Sequence, residues 1–131
     1  MRSLRYDHAV PRWTLEVAAT FEAAHRLYSW RGAPEPSHGH SWRVVARLET
    51  AALGEEGMAY DFVDVREALV AVASRLDHRD VNSVPPFDRD SPTTERIARW
   101  FFEELAALLP EAPLAAVTVS EGAGASATYW P

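Results

Sequence analysis

Two histidines set two residues apart, in Ser37-His38-Gly39-His40-Ser41-Trp42-Arg43, are the side chains of this sequence whose type and spacing speak most directly of chemistry. Residues i and i+2 of an extended chain project from one face. His38 and His40, with only Gly39 between them, can therefore share a metal ion. A third imidazole is available upstream, from His25 in Phe21-Glu22-Ala23-Ala24-His25-Arg26. Three histidines and one open position describe a catalytic zinc site better than a structural one, which closes with four protein ligands. A histidine taken alone is more often a hydrogen-bonding residue of the framework than a ligand, so the question passes to the elements that carry them.

Trp13 to Leu27 reads as a long strand, with Trp13, Leu15, Val17, Ala19, Phe21, Ala23 and His25 on one alternate set. Tyr28 to Pro36 holds Gly32, Pro34 and Pro36 and reads as a loop. His40 to Thr50 is a second strand, alternating Trp42, Val44, Ala46 and Leu48 against Arg43, Val45, Arg47 and Glu49. Two strands joined by a loop pair antiparallel, and the ends that the loop joins are the ends that meet. His25 closes the first strand and His38 to His40 open the second, which favours one cluster. Met58 to Phe62 is read as short and extended, and Asp64, with Glu67 three residues on, as the capping box of a helix running to Asp77. A polar, proline-rich loop follows to Pro92. Thr93 or Thr94 caps a second helix with Ile97, Trp100, Phe101 and Leu105 on its apolar stripe, ending near Pro110. Leu114 to Glu121 and Ser126 to Trp130 are strands about the turn Gly122 to Gly124, and Met1 to Pro11 is a loose lead-in. The order β-β-α-α-β-β is α+β, an antiparallel sheet with helices on one face, and 1–131 is read as a single domain.

Composition narrows the chemistry. There is no cysteine, which excludes thiolate ligands, thiol nucleophiles and disulfides. All thirteen basic residues are arginine, which excludes a lysine Schiff base. A net charge of −6 indicates no diffuse attraction to nucleic acid or to an anionic membrane. No stretch approaches a membrane span and the amino terminus lacks a signal-peptide core, so a cytoplasmic protein is expected. Asp77-His78 can be an acid–base pair or the end of a helix, where His78 and Arg79 answer exposed carbonyls. Glu121 can accept two hydrogen bonds from the amidine-like edge of a heterocycle or be a solvated strand end. Glu35, three residues before His38, is within reach of a metal-bound group or is simply solvated.

Taken together, Phe21-Glu22-Ala23-Ala24-His25-Arg26-Leu27, His38-Gly39-His40, Gly57-Met58-Ala59-Tyr60-Asp61-Phe62, Leu76-Asp77-His78-Arg79-Asp80-Val81-Asn82, Pro92-Thr93-Thr94-Glu95 and Ser120-Glu121 occur in an order that resembles the 6-pyruvoyltetrahydropterin and 6-carboxytetrahydropterin synthase family. The resemblance implies a T-fold of four antiparallel strands with two helices inserted between the second and third. It implies subunits paired through edge strands into trimers and hexamers, with active sites where subunits meet. It also implies zinc held by His25, His38 and His40, a 7,8-dihydroneopterin triphosphate substrate, and Lewis-acid chemistry on its side-chain hydroxyls. Glu121 matches the glutamate that anchors the pterin ring, Thr93 and Thr94 fall at the pocket wall, and Asp77 and His78 match the family's catalytic dyad. The family's usual base is a cysteine shortly before His-Gly-His, where this chain reads Arg31-Gly32-Ala33-Pro34-Glu35-Pro36-Ser37. Glu35 instead fits the Glu-x-x-His-Gly-His pattern of a subgroup that cleaves the side chain to 6-hydroxymethyl-7,8-dihydropterin for folate synthesis. A 6-carboxytetrahydropterin synthase of deazapurine (queuosine) synthesis, a repurposed zinc enzyme and a non-catalytic pterin-binding homologue are the alternatives.

Overall fold

In the computed structural model the described residues are 12–131, and the lead-in expected over Met1 to Pro11 lies outside them. Strand β1 spans Trp13–His25 and β2 spans His38–Thr50, beginning two residues earlier than the alternation alone indicates. They pair antiparallel without interruption from Trp13 opposite Thr50 to His25 opposite His38. The expected alternate set of β1 is the one that goes inward, with Val17, Phe21, Ala23 and His25 all buried. Helix α1 (Phe62–Ala73) and a two-residue strand β3 (Arg79–Asp80) follow, then a 3-10 turn at Val81–Ser83 and helix α2 (Thr94–Leu108). Strands β4 (Leu114–Glu121) and β5 (Ser126–Tyr129) complete a sheet of order β3-β1-β2-β4-β5.

Two expectations are corrected here. The sheet is mixed and five-stranded, because β3 adds itself parallel to β1 at Ala23 and Ala24. Two residues are too few to show a period, so that strand hides in a stretch read as loop. Helix α1 starts at Phe62, capped by Asp61, whose carboxylate accepts from the Val63 N–H at 2.8 Å. It stops at Ala73 rather than Asp77. Phe62 and Val63 are apolar yet half exposed (50% and 53%), so the first turn shows no inward apolar stripe, and the Asp64–Glu67 spacing reads as the cap instead. The two aspartates are separable by experiment. Asp61→Ala is expected to cost about 1 kcal/mol of unfolding free energy, and Asp64→Ala less than about 0.5 kcal/mol, both measured by urea denaturation.

The core lies between the sheet and the two helices. Phe21 and Trp42 stack at 5.8 Å with their rings 1° from parallel, and Phe101 of α2 closes on Phe21 at 5.6 Å. Val65, Leu69 and Val72 of α1 and Ile97 and Leu105 of α2 seal the same layer. Each such side chain contributes roughly 1.5–3 kcal/mol by leaving water. Trp42 Nε1 donates to the Ala23 carbonyl at 3.0 Å, which settles its one polar atom. This layer is the floor on which the histidines stand. Among the described residues no helix is long and apolar enough to cross a membrane.

Candidate metal centre

The β1–β2 register brings the three imidazoles together. His25 faces His38 directly and Ala23 faces His40, so all three rings project from the helix-bearing side of the sheet. Ring centroids are 4.7 Å apart for His25–His38, 5.3 Å for His25–His40 and 4.8 Å for His38–His40. One nitrogen from each lies within 4.8 Å of the other two. Trp42 meets His25 and His40 edge-on at 4.9 and 5.3 Å and gives the cluster an apolar base.

Hydrogen bonding fixes which nitrogens are free. His25 Nδ1 sits 2.9 Å from the Pro92 carbonyl, and His38 Nδ1 sits 3.0 Å from the Pro36 carbonyl. A carbonyl only accepts, so in both rings Nδ1 carries the proton and Nε2 keeps its lone pair. His25 Nε2 and His40 Nε2 are buried and have no hydrogen-bond partner. Buried polar atoms without partners are rare, and two such nitrogens aimed into one cluster fit a bound cation. Three nitrogen donors, two of them with Nδ1 tied to backbone carbonyls, suit zinc, whose histidine ligands are held in this way.

Burial, more than any other influence, holds the His25 pKa below the ordinary 6.5; His38 and His40 add to the lowering, while the Pro92 hydrogen bond and Glu121 oppose it. Metal binding requires the neutral imidazole, and this environment favours that form of His25. The same shift has a stability consequence for the metal-free protein. Below pH 6.5 the unfolded chain takes up a proton at His25 that the folded chain refuses. Stability from this group is therefore unchanged above that pH and lost as pH falls from it toward the folded value. Urea unfolding at about pH 7.5 and about pH 5.5 should show a loss on the acid side that is smaller in His25→Ala; equal losses in the two proteins would refute it.

A cleft of ≈ 310 Å³ opens on one side of the cluster, lined by His25, His38, Glu35, Thr93, Thr94 and Glu121 among others. Glu121, last residue of β4, sets Oε2 at 3.7 Å from His25 Nε2 and 4.0 Å from His40 Nε2. Thr94 Oγ1 donates to that same oxygen at 2.9 Å and orients it. Thr93 has a different task, since its hydroxyl accepts from the Arg96 N–H at 3.1 Å and caps α2. Glu35 is partly buried. Its Oε1 accepts from the Leu27 N–H at 3.0 Å, while its own N–H donates to the Leu27 carbonyl at 3.0 Å. That reciprocal pair closes the loop after β1 and aims the carboxylate toward His38, whose Nδ1 is 3.9 Å away.

Asp77 and His78 lie elsewhere. They lie just past α1, in the turn where the Asp77 N–H still bonds the Ala73 carbonyl at 3.0 Å and the Arg79 N–H bonds the Leu76 carbonyl at 3.1 Å. His78 adopts φ 59°, its side chain is 78% exposed, and its N–H bonds the Glu22 carbonyl. Asp77 Oδ1 accepts from the Glu22 N–H at 2.8 Å, and its Oδ2 stands 3.7 Å from His78 Nε2, beyond hydrogen-bond range. His78 borders a second cleft of ≈ 490 Å³ with His40, Ser41, Glu22 and Arg79. The cluster thus stands between two clefts, Glu35 and Glu121 on one and His78 on the other. The Pro92 carbonyl, which fixes the His25 tautomer, was not anticipated, because a backbone atom leaves no residue-type signal.

Residues 14–131 match the sequence model of the 6-pyruvoyl tetrahydropterin synthase family. A dihydroneopterin monophosphate aldolase from Pyrococcus furiosus is 35% identical over 96 residues, covering 70% of this chain and 74% of that one. A 6-carboxy-5,6,7,8-tetrahydropterin synthase from Synechocystis is 38% identical over 99 residues, covering 71% and 74%. The solved 6-pyruvoyl tetrahydropterin synthase of Caenorhabditis elegans superposes with a TM-score of 0.81 at 26% identity, covering 93% of this chain and 97% of that one.

Proposed function

The chain belongs to the 6-pyruvoyl tetrahydropterin synthase family, and we propose that within it the protein is a zinc-dependent lyase that shortens the side chain of a 7,8-dihydroneopterin phosphate, the triphosphate or the monophosphate, to 6-hydroxymethyl-7,8-dihydropterin. The observation that carries this reading is a carboxylate, Glu35, lining the cleft of His25, His38 and Glu121 in a chain that has no cysteine. The 35% identity to a dihydroneopterin monophosphate aldolase supports the same product.

Zinc on His25, His38 and His40 would supply Lewis-acid polarisation of the substrate's side-chain hydroxyls. Glu121 accepts the paired N–H donors of the pterin edge, held in orientation by Thr94, and Thr93 builds the wall as the cap of α2. Glu35 removes the proton from the second side-chain hydroxyl. That carbon becomes an aldehyde as its bond to the first side-chain carbon breaks, and the ring imine takes up the electron pair. His78, with Asp77 beside it, returns a proton to the first side-chain carbon. The products are the hydroxymethyl pterin and a two-carbon aldehyde carrying the phosphate, with no oxidant or reductant required.

Glu35 and His78 stand on separate clefts of one chain. We therefore place the working site between copies in a homo-oligomer, trimer or hexamer, each copy a single domain working in the cytoplasm. The test is to incubate zinc-loaded protein with 7,8-dihydroneopterin triphosphate and, separately, the monophosphate, and to identify products by mass spectrometry. 6-Hydroxymethyl-7,8-dihydropterin is expected. A 6-carboxy product would move the assignment to the activity named for the 38%-identical relative, and tight binding without conversion would overturn the enzymatic reading.

A further inference from the structure

Strand β1 ends at His25, and the sheet ladder that holds its backbone ends with it. The next three backbone N–H groups are taken over by side chains from elsewhere. Arg26 N–H is accepted by Asn82 Oδ1 at 2.9 Å, Leu27 N–H by Glu35 at 3.0 Å and Tyr28 N–H by Ser91 Oγ at 2.9 Å. Asn82 alone does this twice, because its Nδ2 also donates to the Arg26 carbonyl at 2.9 Å. Its carboxamide thereby imitates one rung of a neighbouring strand beside the residue that follows His25. Asn82 is 7% exposed and, with His25, is one of two buried polar residues among those described. Asp80 prepares it by accepting the Asn82 N–H at 3.0 Å in the 3-10 turn.

The segment that carries Asn82 also carries Pro92, whose carbonyl holds the His25 ring. Backbone and ring of one imidazole are thus gripped from one connection, Asn82 at the chain leaving His25 and Pro92 at Nδ1. We infer that Asn82 is a positioning residue for the metal centre, setting the direction of His25 Nε2 by clamping both polar groups of Arg26. This rests on His25 being a metal ligand. Partners that orient a histidine ligand act on metal affinity beyond their effect on stability. Asn82 lines neither cleft, and its hydrogen bonds go to Arg26 and Asp80 rather than to the other two histidines, so its influence on binding runs through His25.

The experiment compares Zn²⁺ affinity, by competition with a chromophoric chelator, for full-length wild type, Asn82→Ala, Asn82→Asp and Ser83→Ala. Ser83 lies in the same 3-10 turn and donates its hydroxyl to the Asp80 carbonyl at 2.7 Å, a bond that does not reach β1. Asn82→Ala is expected to weaken Zn²⁺ binding up to about 10-fold, the low end of what losing a partner bonded to the ligand itself costs. Asn82→Asp, which keeps the acceptor for Arg26 N–H and loses the donor, should fall between, and Ser83→Ala should match wild type. If Asn82→Ala does not fold by circular dichroism, the affinity of Asn82→Asp decides the matter. Wild-type affinity in the folded Asn82 variants, or an equal loss in Ser83→Ala, would overturn the positioning role while leaving the metal site standing. No Zn²⁺ binding by wild type would remove both.

Discussion

Glu35→Gln is expected to lower kcat by about 10²–10⁴-fold, the usual worth of a positioned general base, with Zn²⁺ affinity and unfolding free energy close to wild type. The amide is chosen because Glu35 has two separable tasks. One oxygen accepts the Leu27 N–H at 3.0 Å and closes the loop after β1, and the carbonyl oxygen of a glutamine can continue to do so. A glutamine cannot take a proton from a substrate hydroxyl. Glu35→Ala confounds the two, since it also leaves the Leu27 N–H without its partner, which costs about 1–3 kcal/mol where the group is buried. Steady-state kinetics on the neopterin phosphate, run beside chelator competition, separate the tasks. Wild-type kcat in Glu35→Gln would remove Glu35 as the base.

His25→Ala is expected to weaken Zn²⁺ binding by more than about 100-fold, beyond the largest usual effect of changing an outer-shell partner. Among the three histidines His25 is the most buried, at 3% exposure, and the one held by a carbonyl from a distant segment. His38 and His40 are nearer to solvent and share a short strand segment. Without His25, two imidazoles remain, and the Pro92 carbonyl loses its donor. Metal content after dialysis, measured by atomic emission alongside circular dichroism, checks the claim. A folded His25→Ala protein that retains one Zn²⁺ per chain would show that the cluster is not the site.

Much of the site's geometry was legible because it depends on period and connection alone. The alternation through Val17, Phe21 and His25 puts His25 inward, and the loop from β1 to β2 brings it opposite His38. What stayed hidden depends on contacts between distant segments. The Pro92 carbonyl reaches His25 across 67 positions and Asn82 reaches Arg26 across 56, and neither distance leaves a pattern in either stretch. The start of α1 is ambiguous for a local reason: Asp61 and Asp64 are both followed by apolar residues, and what tells them apart is the Asp61 carboxylate on the Val63 N–H, which the residue types do not show. Asp77-His78 reads as a helix end or as a dyad, and the turn after Ala73 places the pair at the end of α1 on a cleft apart from that of Glu35.

Turnover titrated with zinc gives the most direct test of a metal-dependent lyase built on His25, His38 and His40. Metal-free protein is mixed with 7,8-dihydroneopterin monophosphate, Zn²⁺ is added stepwise, and release of the two-carbon aldehyde phosphate is followed. Release should be absent without metal, rise in proportion to added Zn²⁺, break sharply at one equivalent per chain, and fail to appear in His25→Ala over the same range. Turnover by the metal-free protein, or undiminished turnover in His25→Ala, would contradict it.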